Sequence, residues 1–335
     1  MKRSFDNLSV PGNPPMTTTV ARTPRLHSGL QRRLAAVWSR ATKNPRWLIM
    51  DALSRFVLIR RAVKLIQEEA KQYDVAASRF MNVDTRAFVA SLNRDGFCTG
   101  LALPRDAMEK ILRFARAAIC YGDADPRCGF KYADRAVAQT ACKRVFSQAT
   151  YLFLDDLQQT VDDLATDPLL LSIAANYIRS PPVITGSRLW WVFATPESDY
   201  DNSITTSFFH YDKDDYAAVR LFFYLTPVDD GHGPHVVVRG SHLHKNISQI
   251  ASFGERSDRQ IERAYGSDKL TTIYGSPGSG FAEDPFCFHK ATRPTDGDRL
   301  MLEVKYAARD YKIFPAADRS RAANILDTAA TRATQ

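Results

Sequence analysis

The stretch Ser207-Phe208-Phe209-His210-Tyr211-Asp212-Lys213-Asp214-Asp215, followed by Arg220-Leu221-Phe222-Phe223-Tyr224-Leu225-Thr226, decides how the second half of this chain is read. Both segments are rich in aromatic and branched residues and lack Gly and Pro, which is the composition of strands. On the second segment Arg220, Phe222, Tyr224 and Thr226 share one face, and Leu221, Phe223 and Leu225 share the other. On the first, His210 and Asp212 stand two apart, so on a strand both side chains leave the same face. An imidazole and a carboxylate placed in this way can share one metal ion. His289, on a later strand, is the candidate third ligand. Two imidazoles and a carboxylate occupy one face of an octahedral ferrous ion and leave three positions open, the arrangement of non-haem iron oxygenases. The pair alone is a weak signal, because a hydrogen-bonded His beside a solvated Asp spells the same letters.

Outward from this stretch, strands are expected at 188–193, 207–211, 218–225, 235–238, 286–289 and 299–306, separated by turn residues at 227–234, 240–241, 275–280 and 296–297. Upstream, helical patterns cover 84–92, 106–120 and 153–178, the last broken near Asp167-Pro168. Asp95-Gly96-Phe97 reads as a turn into a short strand reaching 103, and 121–150 reads as irregular. Helices first and antiparallel-looking strands afterwards imply an α+β chain with a β-barrel or double-sheet jelly roll in its second half.

The chain has 335 residues and is 44% hydrophobic, enough for a large buried core in one or two domains. With 11% aromatic and 24% charged residues, it is neither a disordered chain, a collagen nor a coiled-coil rod. The most apolar early run, 47–59, is interrupted by Asp51 and Arg55, well short of the roughly 20 apolar residues that span a bilayer. No signal-peptide hydrophobic region follows Lys2-Arg3, so the expected location is cytoplasmic. Five cysteines form no C-x-x-C pair and are expected as buried thiols. The net charge of +8 is uneven: residues 1–70 hold 13 Lys/Arg against 4 Asp/Glu, and the remainder 32 against 33. A near-neutral main body does not bind nucleic acid by charge.

The organisation that follows is a flexible tail at 1–25, a basic helical extension at 26–80, the main domain at 81–312 and a C-terminal tail at 313–335. In the extension Leu48, Ala52, Phe56, Ile59 and Val63 form an apolar stripe, with Arg46, Arg55, Arg60, Arg61 and Lys64 around it. Either the stripe packs on the main domain and the charges face water, or the segment 29–64 makes a peripheral contact with an anionic membrane surface.

The run from Arg220 through Val228-Asp229-Asp230-Gly231-His232-Gly233-Pro234, then Gly240-Ser241-His242, Phe288-His289 and Asp298-Arg299, resembles the phytanoyl-CoA dioxygenase-like family of Fe(II)/2-oxoglutarate-dependent oxygenases. The resemblance covers about 84–308, including Arg94-Asp95-Gly96-Phe97 and the helix at Asp167-Pro168-Leu169-Leu170-Leu171. It implies a double-stranded β-helix, a cupin-like jelly-roll barrel with supporting helices. It implies metal ligation by His210, Asp212 and His289, and it implies that Arg299, ten residues beyond His289, holds 2-oxoglutarate. Two positions depart from the pattern: Arg239 stands where Pro is usual, and His235 where an apolar residue is usual.

The implied reaction is hydroxylation of an unactivated C–H bond of a small-molecule or lipid-like, candidate acidic substrate, with O2 consumed and succinate and CO2 released. Desaturation or ring formation uses the same centre. A non-catalytic cupin-like metal-binding module is the rival, and a zinc site built on His242 and His244 is a further one. An inward Arg is costly unless paired, and a dicarboxylate offers the bidentate partner that a guanidinium prefers. Pairing of Arg299 with Glu303 is the alternative, and Arg293, in the loop Thr292-Arg293-Pro294, is the nearest competitor. Arg188, Trp190, Arg220 and Thr226 are further candidates for cofactor or substrate contact. Oligomeric state is not readable from these residues.

Overall fold

The computed structural model describes residues 38, 42, 44–67, 72–251, 255–312 and 324. The tail expected at 1–25 lies outside them, as does nearly all of 313–335. Eleven strands are found among the described residues. The first five are β1 (Phe97–Ala102), β2 (Ile119–Gly122), β3 (Gly129–Lys131), β4 (Gln148–Thr150) and β5 (Val183–Val192). The remainder are β6 (Ala218–Tyr224), β7 (His235–Val238), β8 (Leu270–Ile273), β9 (Ser279–Glu283), β10 (His289–Ala291) and β11 (Arg299–Ala307). They make an eight-stranded sheet in the order β1-β9-β6-β11-β5-β4-β2-β3 and a three-stranded sheet in the order β10-β7-β8. Every pairing is antiparallel.

This is the expected α+β class, with one difference. The two sheets do not close into a hydrogen-bonded barrel among the described residues. Isolated bridges at Phe209–Arg256, His210–His289 and Val228–Gly275 supplement the two sheets.

Strand alternation sorts the core. Leu221, Phe223, Leu300, Leu302 and Val304 leave the outer face of the large sheet and join Leu169, Leu170 and Ile173 of the helix Pro168–Ile178 in one buried cluster. Burial of each such side chain contributes roughly 1.5–3 kcal/mol. The inner face carries Trp190, Val192, Phe222, Tyr224 and Met301, which meet Val237 and Ile273 of the small sheet. The helix Pro168–Ile178 starts where the sequence breaks, because the Asp167 carboxylate accepts from Leu169 N and Pro168 fits the first helical position.

Three local expectations are corrected. Residues 207–211 are not a regular strand and pair only through the bridges at Phe209 and His210. The strand expected at 286–289 begins at His289, since Asp284-Pro285 forms a turn in which Asp284 accepts from Phe286 N and Cys287 N. The segment 121–150 is ordered, with β3, β4 and the helix Arg135–Cys142, each too short to show periodicity.

The basic extension also departs from its expected packing. In the helices Pro45–Leu53 and Val57–Leu65 the buried apolar contacts are Trp47 and Met50, while Leu48 and Phe56 of the stripe are exposed. The cations turn inward instead. Arg60 is 6% exposed, stacks 4.0 Å over Phe286 and donates to the His242 carbonyl, and Lys64 donates to the Tyr177 carbonyl at 3.1 Å. Burial pulls the Lys64 ammonium down to about 8. Leu58, Leu65 and Ile66 face outward. The reason is local: Asp284 and the carbonyls of Tyr177 and His242 give this side of the domain an acceptor-rich surface, which suits cations with apolar stems. No helix among the described residues is long and apolar enough to cross a membrane.

Gly96 ends the helix Thr85–Asp95 with φ of +83°, and a Cβ there would strike Cys287 Sγ and the His242 ring. Both penalties act together. Gly96→Ala is therefore expected to lower unfolding free energy by about 2 kcal/mol or more in urea titration. A wild-type midpoint would contradict this account of the turn.

Candidate metal centre

His210 and His289 exchange backbone hydrogen bonds of 3.0 and 2.9 Å, which places their rings side by side with centroids 4.4 Å apart. Each Nδ1 lies against a carbonyl, Phe208 O at 2.9 Å for His210 and Cys287 O at 3.0 Å for His289. With Nδ1 protonated and donating, a neutral ring keeps the Nε2 lone pair for a ligand. Asp212 enters from two residues on, its backbone N–H held by Pro285 O at 2.7 Å. Its Oδ2 lies 3.9 Å from His210 Nε2 and 3.6 Å from His289 Nε2. Donors cis to one another on an ion about 2.1 Å away stand about 3 Å apart, so Asp212 needs to close on each imidazole by less than about 1 Å, and all three ligand atoms lie within 4.8 Å of one another. The donor set, two imidazole nitrogens and one carboxylate, suits ferrous iron. Among the described residues no other group of His, Cys, Asp or Glu offers three converging ligand atoms.

The charges around the triad act differently on its members. Burial would lower His289, but Glu283 and Asp212 outweigh it and raise the imidazole to about 10, so a metal bound at its Nε2 would displace a proton. Burial would raise Asp212, but Arg220 and the two imidazoles outweigh it and hold the carboxyl well below its ordinary value. Burial, with His289 beside it, lowers His210 to about 4, which keeps it neutral. Arg220 Nη1 reaches Asp212 Oδ2 at 2.6 Å, while Nε and Nη2 grip Asp214 at 2.8 Å each, and Nη1 lies 3.4 Å from Glu303. Arg220 is thus committed to carboxylates and orients Asp212.

A further acid acts on His289. Glu283 Oε2 lies 2.6 Å from His235 Nε2, and Oε1 lies 2.7 Å from His289 Nδ1. The second approach is a charge contact rather than an aligned hydrogen bond, since Nδ1 points at the Cys287 carbonyl. Burial would raise Glu283, but His289 and His235 hold it down at about 2. This explains the polar residue at 235: His235 is the second partner of a buried acid. Sequence reasoning passed over Glu283, and its signal was only a shared strand face with Phe281 on β9.

Arg299 is 1% exposed, and its Nε and Nη1 have no hydrogen-bond partner. The expected alternative partner, Glu303, is engaged by Arg220 and by Lys305 at 3.5 Å. Its neighbour Asp298 is bound by Tyr132, Arg135 and the Ala194 N–H at 2.8 Å each. An unmade hydrogen bond of a buried group costs about 1–3 kcal/mol, and more for a charge. Arg299 lines the same cavity of about 630 Å³ as His210, Asp212 and His289. Arg293, by contrast, donates to the Thr195 carbonyl and does not line it.

The remaining candidates divide. Arg188 and Trp190 line the cavity, with the guanidinium 4.6 Å over the indole and donating to Gln148 and Thr150. Thr226 accepts from Leu300 N at 3.1 Å, secures the start of β11 and does not line the cavity. His242 is buried between the Asn93 carbonyl and Cys287 Sγ, a setting without a third ligand.

No protein-family model and no curated protein matches the chain. Solved structures resemble it in part. The non-haem α-ketoglutarate-dependent epimerase SnoN from nogalamycin biosynthesis is 16% identical over 67% of this chain and 82% of its own, with a TM-score of 0.48. AviO1 from Streptomyces viridochromogenes Tue57 is 18% identical over 71% and 100%, with a TM-score of 0.44. HygX from Streptomyces hygroscopicus, solved with nickel and 2-oxoglutarate, is 16% identical over 70% and 91%, with a TM-score of 0.46. At these levels the likeness decides nothing about the site, which rests on its own geometry.

Removing the charge of Glu283 while keeping its shape tests the support of His289. Glu283→Gln is expected to weaken Co(II) or Fe(II) affinity by about 10- to 100-fold in anaerobic titration, with the far-UV spectrum unchanged. Undiminished affinity would mean that Glu283 does not hold His289 for the metal.

Proposed function

We propose that this chain is an Fe(II)- and 2-oxoglutarate-dependent oxygenase, similar to the phytanoyl-CoA dioxygenase-like family, that hydroxylates a C–H bond of an acidic small molecule. The observation that carries this reading is the coexistence, in one cavity, of the converging His210, Asp212 and His289 with a buried arginine that lacks partners. A structural metal site would not need that arginine.

His210 Nε2, Asp212 Oδ2 and His289 Nε2 would hold the iron, with Arg220 and Glu283 fixing their orientation. The bound iron and 2-oxoglutarate supply the oxidising chemistry with O2. Arg299 supplies N–H donors and a full charge for the far carboxylate of the diacid, and the burial that leaves it unsatisfied strengthens that attraction. Phe222 and Met301 line the cavity beside it and limit water. Asp212 completes a full triad and leaves no ligand position for a halide in its place. Hydroxylation is accordingly the reaction proposed.

The acidic substrate is read from Arg188. It lines the cavity, is paired with no carboxylate among the described residues, and has its Nη2 held by the neutral Gln148 and Thr150. Lys305 and Arg309 line the same cavity.

Anaerobic addition of Fe(II) and 2-oxoglutarate is expected to produce the visible charge-transfer band of the chelate. Asp212→Ala is expected to abolish it, and Arg299→Ala to raise the 2-oxoglutarate concentration needed for it by at least about tenfold. A band that persists in Asp212→Ala removes the ligand assignment. Metal binding without any 2-oxoglutarate-dependent band would favour the inert cupin-like module.

Arg188→Ala should leave that band intact. In a succinate-release screen of acidic metabolites it should raise KM for the active compound by roughly 10-fold or more, a loss of about 1.5–3 kcal/mol for a charged hydrogen bond. Loss of the band in Arg188→Ala, or an unchanged KM, would count against the substrate role.

A further inference from the structure

The spacing of the five cysteines suggests no pairing, yet the fold brings two of them together. Cys128 Sγ and Cys142 Sγ are 2.8 Å apart. Cys128 is buried just before β3, and Cys142 is the half-buried last residue of the helix Arg135–Cys142. Lys143, with φ of +52°, turns the chain back at that point. Arg144 then reaches over, with Nη2 at 3.5 Å from Cys128 Sγ and 3.3 Å from the Gly122 carbonyl. The other thiols differ: Cys120 Sγ lies against the Phe130 carbonyl, and Cys287 Sγ against His242.

We propose that Cys128 and Cys142 are an oxidative modification site, a dithiol that a peroxide converts to a disulfide closing the segment 128–142 into a ring. The sulfurs need to approach by only about 0.8 Å to bond. Cys142, half-buried, is the more accessible of the two and meets the oxidant first. Its sulfur attacks the O–O bond, which breaks to give a sulfenic acid and one water. Cys128 then attacks that sulfur, the S–O bond breaks, and a second water leaves with the remaining thiol proton. Two thiols and one hydrogen peroxide become one disulfide and two waters, so sulfur loses two electrons and the peroxide gains them.

The ring would enclose a functional anchor. Tyr132 and Arg135 lie between the two cysteines, and both donate to Asp298 Oδ2 at 2.8 Å. Asp298 immediately precedes Arg299 at the start of β11. Closing the ring fixes both ends of the segment that holds Asp298. Burial, and then the neighbouring thiol, push Cys142 up to about 12, so thiolate is scarce at neutral pH and the oxidation is slow; the short sulfur–sulfur distance, not thiol acidity, selects this pair.

The test is a count of thiols on the folded full chain before and after a stoichiometric pulse of hydrogen peroxide, with intact mass and a peptide map. The unoxidised chain should titrate five thiols after denaturation under argon. The oxidised chain should titrate two fewer, weigh about 2 Da less, yield a 128–142 cross-linked peptide, and recover fully with dithiothreitol. Cys128→Ser and Cys142→Ser should each show no cross-linked peptide, and neither should form another intramolecular disulfide. A cross-link involving Cys98, Cys120 or Cys287, an unchanged thiol count, or a mass gain that dithiothreitol does not reverse would each overturn the proposal.

Discussion

One short antiparallel contact organises this protein: the backbone exchange between His210 and His289. Only one residue pair is involved, yet it joins the segment after β5 to the first strand of the small sheet. It also fixes the distance between two imidazoles without any help from their side chains. The carbonyls of Phe208 and Cys287, each two residues upstream of its histidine, then set both rings in the same sense. The spacing of the two rings is thus written into main-chain pairing, which is stiffer than side-chain packing. Asp212 needs more support, being fixed by a backbone hydrogen bond and by the grip of Arg220.

The charged groups inside the cavity form a chain rather than a set of separate pairs. Arg220 links Asp212, Asp214 and Glu303, and Glu303 continues to Lys305. On the other side Glu283 joins His235 to His289. Within this network Arg299 is the exception, because every nearby carboxylate is already engaged. A buried cation left out of so complete a network is informative, since burying it unpaired is costly unless a ligand completes it.

The legibility of the site in the sequence follows from range. Period-two alternation placed Arg299 and Glu303 on one face of β11 and the Leu300, Leu302, Val304 row on the other, and these are the faces found. The spacing of His210 and Asp212 was readable because both come from one segment. Glu283 was not, since its meaning depends on a histidine on β7 and another on β10, and the letters of β9 carry no trace of either. The short strands of 121–150 were invisible because three or four residues show no period. The packing expected for the extension failed for a different reason. Amphipathicity shows which residues share a side, not which side faces the protein, and here acceptors on the domain surface favoured the cations.

That reversal reaches the cavity. Asp51 Oδ1 holds Lys213, the residue next to Asp212, at 2.5 Å, Asn44 Nδ2 holds the Tyr311 carbonyl at 3.0 Å, and Trp47 forms part of the cavity wall. The leading helices therefore wall one side of the cavity and are latched to the domain by Arg60 and Lys64. A shortened version beginning after them would lose the Trp47 part of the cavity wall and take Asp51 from Lys213 and Arg60 from Asp284, so trimming this region for convenience would alter the cavity itself.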